Sequence, residues 1–190
     1  MTASELYTSI YPIRNPELRE QLCQRTIKKM VRKGTILTSQ GKKWTELLFL
    51  SEGIARGYLL DKVGRDITIC FENMPGEVMA GTPHLKAEDS TINMEMVTDG
   101  EILAISLEDL YSLQHHYQDI FLFQNLLLSR TLEKQWKARL MLYKTESSER
   151  YQWFLREYPG LIDKVGHKKI ASFLAMSPVT LSRIRHRKDE

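Results

Sequence analysis

The fold is decided near the end of the chain by the stretch His167-Lys-Lys-Ile-Ala-Ser-Phe-Leu-Ala-Met-Ser-Pro-Val-Thr-Leu-Ser-Arg-Ile-Arg-His-Arg187. In its first half, Ile170, Phe173 and Leu174 follow the spacing i, i+3, i+4, which is typical of a helix that packs on one side. Ala175-Met176 comes directly after these residues. The stretch therefore predicts a short helix that ends in a tight turn.

A second helix is predicted immediately after that turn. Ser177 can cap its free amide groups, and Pro178 suits its first position, where a missing N–H costs nothing. Leu181 and Ile184 face inward. The polar residues that face the other way are Thr180, Ser182, Arg183 and Arg187. Hydroxyl groups near a helix start can reach phosphate, and an Arg one turn later can bind guanine in the major groove, so the pattern is typical of a helix-turn-helix that binds duplex DNA.

Charge is distributed unevenly along the 190 residues, whose net charge is +3. Residues 1–110 carry a net charge of −3, whereas residues 164–190 carry +5, with no Asp or Glu between Lys164 and Lys188. Positive charge at one end steers an anionic partner to that end. Three interpretations stay open: the basic helix pair binds double-stranded DNA, it docks on a protein, or it is an amphipathic pair with a solvated basic face.

Composition limits the class of protein further. The chain is 42% hydrophobic and 27% charged, as in ordinary globular proteins, and no apolar run approaches the ~20 residues that span a bilayer. With no signal-peptide pattern, we expect a cytoplasmic protein without a membrane partner. Cys23 and Cys70 lie far apart with no CxxC motif, so we expect buried thiols and neither a disulfide nor a metal site. Because no catalytic motif is present, we expect no enzyme and no cofactor.

The residue pattern in the middle of the chain is typical of a β-domain. Between Met30 and Leu107, short apolar stretches alternate with glycine-containing turns, which predicts an antiparallel sandwich or barrel. Strands are predicted at residues 35–38, 46–51, 54–60, 66–71, 92–97 and 101–106. Residues 4–31 are predicted to be helical in pieces, with Leu18, Leu22 and Ile27 as apolar positions of a helix that Asn15-Pro16-Glu17 opens. Further helices are predicted at residues 108–114, 120–143 and 146–158.

The long helix predicted at residues 120–143 carries apolar residues on two sides. One stripe consists of Leu128, Leu132, Trp136, Leu140 and Tyr143, and other apolar residues lie off it. Two apolar surfaces imply two partners, namely the β-domain and a second copy of the chain. A helix wholly buried within its own chain is the alternative. We expect a homodimer, because DNA-reading helix pairs usually bind two half-sites symmetrically.

The order of helix, β-roll, long helix and helix-turn-helix resembles the Crp/Fnr (cyclic-AMP receptor/fumarate-nitrate regulator) family of bacterial transcription regulators. Residues 31–41, 48–58, 97–110 and 170–184 carry the resemblance, and the early end of the chain is similar to shortened Bacteroidetes forms. The resemblance implies an α+β fold. Its expected parts are a cyclic-nucleotide-binding-like jelly-roll sensor domain at residues 1–110, a dimerisation helix at 111–145 and a reduced winged helix at 146–190.

The same resemblance implies an effector pocket that has degenerated. The family's phosphate cassette has Gly-Glu and then Arg-Ser or Arg-Thr; here the matching residues are Gly76, Glu77, Ser90 and Thr91, so the Arg is missing. A buried phosphate without a paired cation costs on the order of several kcal/mol. We therefore expect no tight binding of cyclic AMP, and an unknown small-molecule effector. Lys86 is a nearby cation, and Glu77 is alternatively a surface turn residue.

The resemblance also implies roles for residues at the DNA end. Arg183 matches a base-contacting Arg, and Lys168, Ser177 and Thr180 match positions that contact phosphate. Many relatives have Arg-Glu after the capping Ser, whereas this chain has Pro178-Val179, so we expect a different sequence preference. The implied function is a homodimeric DNA-binding transcription regulator, with RNA polymerase as a candidate further partner.

Overall fold

Capping residues define where the helices begin. The computed structural model describes residues 1–80, 89–144 and 146–186. The side chain of Asn15 accepts hydrogen bonds from the amides of Glu17 (3.0 Å) and Leu18 (3.1 Å), with a proline following at the first helical position. Ser106 accepts from the amide of Asp109 (2.9 Å) in the same way. Each cap satisfies amide groups that have no partner inside the helix.

The elements follow one another in the order helix, strand, helix. The helices are α1 (Ala3–Glu5), which continues as a π-helical turn (Leu6–Ile10), α2 (Pro16–Arg25), α3 (Leu107–Gln114), α4 (Asp119–Leu142), α5 (Ser147–Glu157), α6 (Leu161–Lys164), α7 (His167–Phe173) and α8 (Pro178–His186). The strands are β1 (Ile27–Val31), β2 (Ile36–Thr38), β3 (Glu46–Glu52), β4 (Ala55–Leu60), β5 (Asp66–Glu72), β6 (Val78–Ala80), β7 (Asn93–Met96) and β8 (Gly100–Ser106).

The strands form two four-stranded sheets, in the orders β1-β8-β3-β6 and β2-β7-β4-β5. β8 pairs antiparallel with both β1 and β3, and β2 pairs antiparallel with β7. The side chains of residues 47–50 in β3 and 102–105 in β8 are buried almost without interruption, as expected of strands covered on both faces. The predicted α+β fold with an antiparallel β-roll is confirmed.

An aromatic cluster holds the N-terminal segment in place. Tyr7 and Tyr11 are buried, and both contact the ring of Phe123 in α4 edge-on, with centroid distances of 5.8 and 5.6 Å. The hydroxyl of Tyr11 donates to the carbonyl of Gly76 (3.0 Å), and the guanidinium of Arg130 lies 4.9 Å from its ring. Edge-to-face ring contacts, a satisfied hydroxyl and a cation–π contact therefore join the N-terminus, the β-roll and α4.

The chain divides into two compact units. The first comprises residues 1–57 and 71–132, and the second comprises residues 58–70 and 133–190. The second unit thus contains the hairpin segment between β4 and β5 together with the C-terminal helices. The boundaries after residues 110 and 145 stay predictions.

Three short elements differ from the sequence-based expectation. Ile27 lies in β1 and is 60% exposed, so its prediction as an apolar position of a helix is wrong. β1 was not predicted, because it is a mostly exposed edge strand with no apolar alternation. β6 was not predicted because it has only three residues. α6 was not predicted either; it follows directly on Pro159-Gly160, which were correctly predicted to end the preceding helix α5.

The two cysteines are free thiols of intermediate exposure. The expectation that they are buried is therefore wrong. Partial burial of Cys23 nevertheless raises the pKa of its thiol. Within the ranges that the structure describes, no group of three or more His, Cys, Asp or Glu could hold a metal ion. None of the helices described there is long and apolar enough to cross a membrane.

Candidate nucleic-acid interface

The first helix of the predicted pair is α7, which buries one face. Ile170, Phe173 and Leu174 are all at least 96% buried, as predicted from their spacing. The ring of Phe173 packs edge-on against Tyr158, with a centroid distance of 5.7 Å, and close to Phe154 of α5. The apolar stripe therefore anchors α7 to α5 and leaves its other face available.

The turn after α7 forms at Ala175-Met176, as predicted. Ala175 has φ = +50°, a left-handed conformation that costs a non-glycine residue roughly 1–2 kcal/mol. Two backbone hydrogen bonds close the turn: the amide of Ala175 donates to Ser172 (3.1 Å) and that of Met176 donates to Ala171 (3.0 Å). The turn is therefore short, strained and well defined.

α8 begins as the sequence predicts. The hydroxyl oxygen of Ser177 accepts from the amide of Thr180 (3.0 Å) and lies 2.8 Å from the Thr180 hydroxyl, and Pro178 follows it as the first helical residue. Leu181 is fully buried, and Ile184 is half-buried. The helix is thus fixed to the unit by one apolar side.

The predicted DNA-contacting residues stay accessible on α7 and α8. Lys168, Ser177 and Arg183 are exposed, and Thr180 and Ser182 are half-exposed. Arg187 lies outside the described residues. These side chains come together on one helix pair without being covered by the rest of the second unit, so a duplex could reach them. Their contacts with DNA stay predictions.

Arg185 joins the two helices of the pair. Its guanidinium contacts Nε2 of the His167 imidazole, which links the end of α8 to the start of α7. Because a guanidinium only donates hydrogen bonds, Nε2 of His167 accepts in this pair. The sequence leaves the role of Arg185 open, since its partner lies 18 residues away with no helical spacing to indicate it.

The hairpin segment of the second unit also contacts α7. The amide of Thr68 in β5 donates to the hydroxyl of Ser172 (3.0 Å), and Thr68 is 4% exposed. β5 is the last strand of its sheet, and an amide on an edge strand needs a partner other than a strand when it is buried. Ser172 supplies that partner. Sequence reasoning misses this contact, because Thr68 and Ser172 are 104 positions apart.

The first pair of predicted effector residues is engaged in local structure. A side chain at Gly76 would place its Cβ 2.6 Å from Ile10, so glycine is needed for this close approach. The carboxylate of Glu77 accepts from the amides of Asn73 (2.7 Å) and Met74 (2.9 Å). Glu77 therefore caps its own loop, which favours the turn interpretation of that residue.

The second pair precedes a strand of the other sheet. Ser90 is 4% exposed and donates its hydroxyl to the carbonyl of Ile92 (2.6 Å), whereas Thr91 is exposed. Gly76-Glu77 leads into β6 of one sheet, and Ser90-Thr91 leads into β7 of the other. Lys86 lies outside the described residues. A pocket built from these four residues stays a prediction.

A buried cation that sequence reasoning misses lies inside the β-roll. Arg56 of β4 is 2% exposed, and its Nε and Nη2 lie 2.9 and 2.8 Å from Oε1 of Glu95 in β7. Removing either partner would leave the other charge buried without it, which is strongly destabilising. A charged residue in a strand normally indicates the solvent side, so the pattern of β4 conceals this pair.

The sequence of the β-roll matches the model of a known domain family. Residues 28–117 match the family model of the cyclic nucleotide-binding domain. No curated protein is similar enough in sequence to be matched with the chain.

Solved structures extend the likeness over most of the chain. FixK2 from Bradyrhizobium japonicum aligns with a TM-score of 0.74 at 16% identity, over 85% of this chain and 83% of its own. A protein from Eubacterium rectale described as a candidate transcriptional regulator of the Crp/Fnr family aligns with a TM-score of 0.71 at 20% identity, over 94% and 85%. The catabolite activator protein of Thermus thermophilus aligns with a TM-score of 0.55 at 21% identity, over 96% and 85%.

The fold is that of the Crp/Fnr regulators. Residues 28–117 match the model of the cyclic nucleotide-binding domain, and 85–94% of the chain aligns with the fold of the two solved regulators. The resemblance predicted from the sequence is thereby confirmed.

Proposed function

We propose that the protein is a homodimeric, DNA-binding transcription regulator of the Crp/Fnr type that acts in the cytoplasm. The observation that carries the proposal is the α7–α8 pair, in which a Ser177-capped helix presents the exposed Arg183. This pair lies in a segment, residues 164–190, with a net charge of +5. A basic helix pair with one buried and one accessible side is the arrangement that enters a major groove.

Two kinds of contact are expected from this geometry. Ser177 caps α8 and Thr180 lies in its first turn, where hydroxyl groups and the positive end of the helix attract phosphate oxygens. Arg183 lies further along the exposed side and can bind O6 and N7 of guanine with two hydrogen bonds. Val179 is 60% exposed and can contact only an apolar group such as a thymine methyl. The phosphate contacts position α8, and Arg183 supplies sequence specificity.

Dimerisation is supported by the apolar stripe along α4. Leu132, Trp136, Leu140 and Tyr143 are between 50 and 71% exposed, and Leu128 is half-buried. Buried residues elsewhere on the same helix are Ile120, Phe123, Leu127 and Met141. A row of exposed apolar side chains opposite a buried row calls for a partner surface. A second copy of α4 is that partner, because it offers the same stripe.

The test of DNA binding is the substitution Arg183→Ala. We expect a loss of about 1–3 kcal/mol at the preferred sequence, with base preference relaxed at one position, because one two-pronged guanine contact disappears. The preferred sequence comes from selection in a random DNA pool, and affinity is measured by fluorescence anisotropy at fixed salt. Arg32→Ala is the control, since it removes the same charge from an exposed residue of the first unit. Unchanged affinity and preference in Arg183→Ala would contradict this role.

The alternative function is a sensor module whose C-terminal helices dock on a protein. Its basis is the same accessible basic surface, which binds an acidic protein surface by the same attraction. The random DNA pool separates the two functions. Enrichment of a two-part sequence supports the regulator, and the absence of any enriched duplex supports the docking module.

A further inference from the structure

Arg150 in α5 reaches the turn that joins α7 and α8. Its Nε–H donates to the carbonyl of Leu174 (2.9 Å), and its Nη2 donates to the carbonyl of Ala175 (3.4 Å). These two carbonyls follow the last residue of α7, where backbone acceptors have no partner within the helix. Arg150 therefore supplies the partners that complete the left-handed turn at Ala175.

The same guanidinium also reaches the segment between α4 and α5. Its Nη1 donates to the carbonyl of Lys144 (2.6 Å), two residues beyond the last residue of α4, and its Nη2 donates to the hydroxyl of Ser147 (3.0 Å). Arg150 is half-buried, so these bonds are partly shielded from competing water. One side chain is thus bonded at once to the segment that follows the long helix and to the turn before α8.

A guanidinium is suited to this task because its donors are rigid. Its five N–H groups lie in one plane and point in fixed directions, so acceptors bonded to different nitrogens are fixed relative to one another. A lysine ammonium has a single nitrogen on a flexible stem and cannot hold both segments in this way.

We propose that Arg150 is a positioning residue that fixes the orientation of α8 relative to the end of α4, and thereby sets the spacing of the two DNA half-sites. The proposal rests on the proposed function of a DNA-binding dimer. In a dimer paired through α4, the path from the seam to each α8 runs through the segment that Arg150 holds. Half-sites lie about 10–10.5 base pairs apart, or a multiple of this, so a change in that orientation prevents simultaneous binding of both.

The experiment compares Arg150→Lys with wild type on three kinds of duplex. These carry the selected two-part site, the same site with its spacing changed by one base pair in either direction, and a single half-site. We expect Arg150→Lys to bind the two-part site about tenfold or more weakly and to lose the wild-type preference for one spacing. Binding to the single half-site should stay within about twofold, because α8 itself is intact. Arg156→Lys is the control, since it makes the same change at an exposed residue of α5.

A second variant distinguishes positioning from relief of strain. Glycine adopts the left-handed conformation of residue 175 without cost, so Ala175→Gly compensates for lost support of the turn. If Arg150 only relieves strain, Arg150→Lys combined with Ala175→Gly recovers the spacing preference, and the proposal is overturned. If Arg150 positions α8, the double variant recovers thermal stability but not the preference. The double variant also serves as the test where Arg150→Lys alone does not fold.

The outcomes also separate this inference from the proposed function. Wild type that binds no duplex overturns both. Wild type that prefers one spacing, together with an Arg150→Lys variant that keeps the same preference and affinity, overturns the positioning role and leaves the regulator intact.

Discussion

At the scale of single residues, Tyr11 shows how one buried hydroxyl connects distant parts of the chain. Burial raises the pKa of Tyr11 to about 12, and the nearby Arg130 guanidinium opposes this shift. The hydroxyl donates to Gly76, 65 positions further along the chain. In the unfolded chain the pKa of tyrosine is about 10, so only the folded state keeps this proton between pH 10 and 12.

Tyr11 therefore predicts a loss of stability in alkaline solution. Below pH 10 the neutral phenol is present in both states and its contribution is complete. As the pH rises towards 12 the unfolded chain ionises first, which lowers the free energy of unfolding by about 2 kcal/mol. We expect Tyr11→Phe to be about 1 kcal/mol less stable than wild type at pH 8, because it lacks the bond to Gly76, but to lose less stability between pH 9 and pH 12. Urea unfolding across this range measures both effects, and parallel curves for the two proteins would contradict them.

The predictability of single residues depends on how far away their partners lie. Ser177 and Leu181 could be assigned from the sequence, because a cap and a helical spacing depend on neighbours three or four positions away. Arg150 and Arg56 could not, since Arg150 bonds to the backbone of Lys144, Leu174 and Ala175 outside its own helix and Arg56 pairs with Glu95 of another strand. Glu77 lay between these cases: its loop-capping role is local, but the resemblance to a cassette suggested another.

At the scale of elements, α4 is the most informative. Its apolar content predicted two partners, and its first partner is visible in the burial of Phe123, whose ring contacts both Tyr7 and Tyr11. The strands in the middle of the sheets were predicted within one or two residues, because continuous apolar burial and glycine-rich turns are strong signals. β1 and β6 were not, because an exposed edge strand and a three-residue strand have neither signal.

The other side of α4 leads to a prediction about assembly. Leu132 is 66% exposed in the stripe, so Leu132→Asp places a charge in the middle of the proposed seam. We expect a monomer by sedimentation velocity, with affinity for a two-part operator reduced by about a hundredfold or more, because burying an unpaired carboxylate is costly and the second half-site is lost. Met30→Asp is the control, as it changes an apolar residue of β1 that is 78% exposed. A Leu132→Asp protein that still sediments as a dimer would remove this part of α4 from the interface.

At the scale of the whole molecule, the order of a β-roll followed by a long helix and a helix pair could be predicted, because strand-like and helical residue patterns occupy separate parts of the sequence. Which residues make up the second compact unit could not be predicted. It includes residues 58–70, which belong by sequence to the β-roll region, and the contacts that place them there join residues far apart in the chain. Pattern reasoning works along the chain and does not detect such pairs.

The whole molecule is expected not to respond to cyclic AMP. The Ser90 hydroxyl is bonded to Ile92, and the Glu77 carboxylate is bonded to two loop amides, so both groups would have to give up these bonds to hold a nucleotide. We expect no heat of binding in a calorimetric titration with cyclic AMP, and operator affinity changed by less than about twofold at a saturating concentration. Titration of the same sample with operator DNA shows that it is active. A dissociation constant in the micromolar range would overturn the expectation.

The hydrogen bond between Thr68 and Ser172 has a consequence for how the chain folds during translation. Its two ends are 104 positions apart, and contacts of such long sequence separation form late, since the intervening chain must first be ordered. On the ribosome, the hairpin emerges long before α7 exists to cover it. The edge of β5 at Thr68 therefore stays uncovered until the residues of α7 have been synthesised, and the proposed DNA-binding helix pair cannot be completed before then.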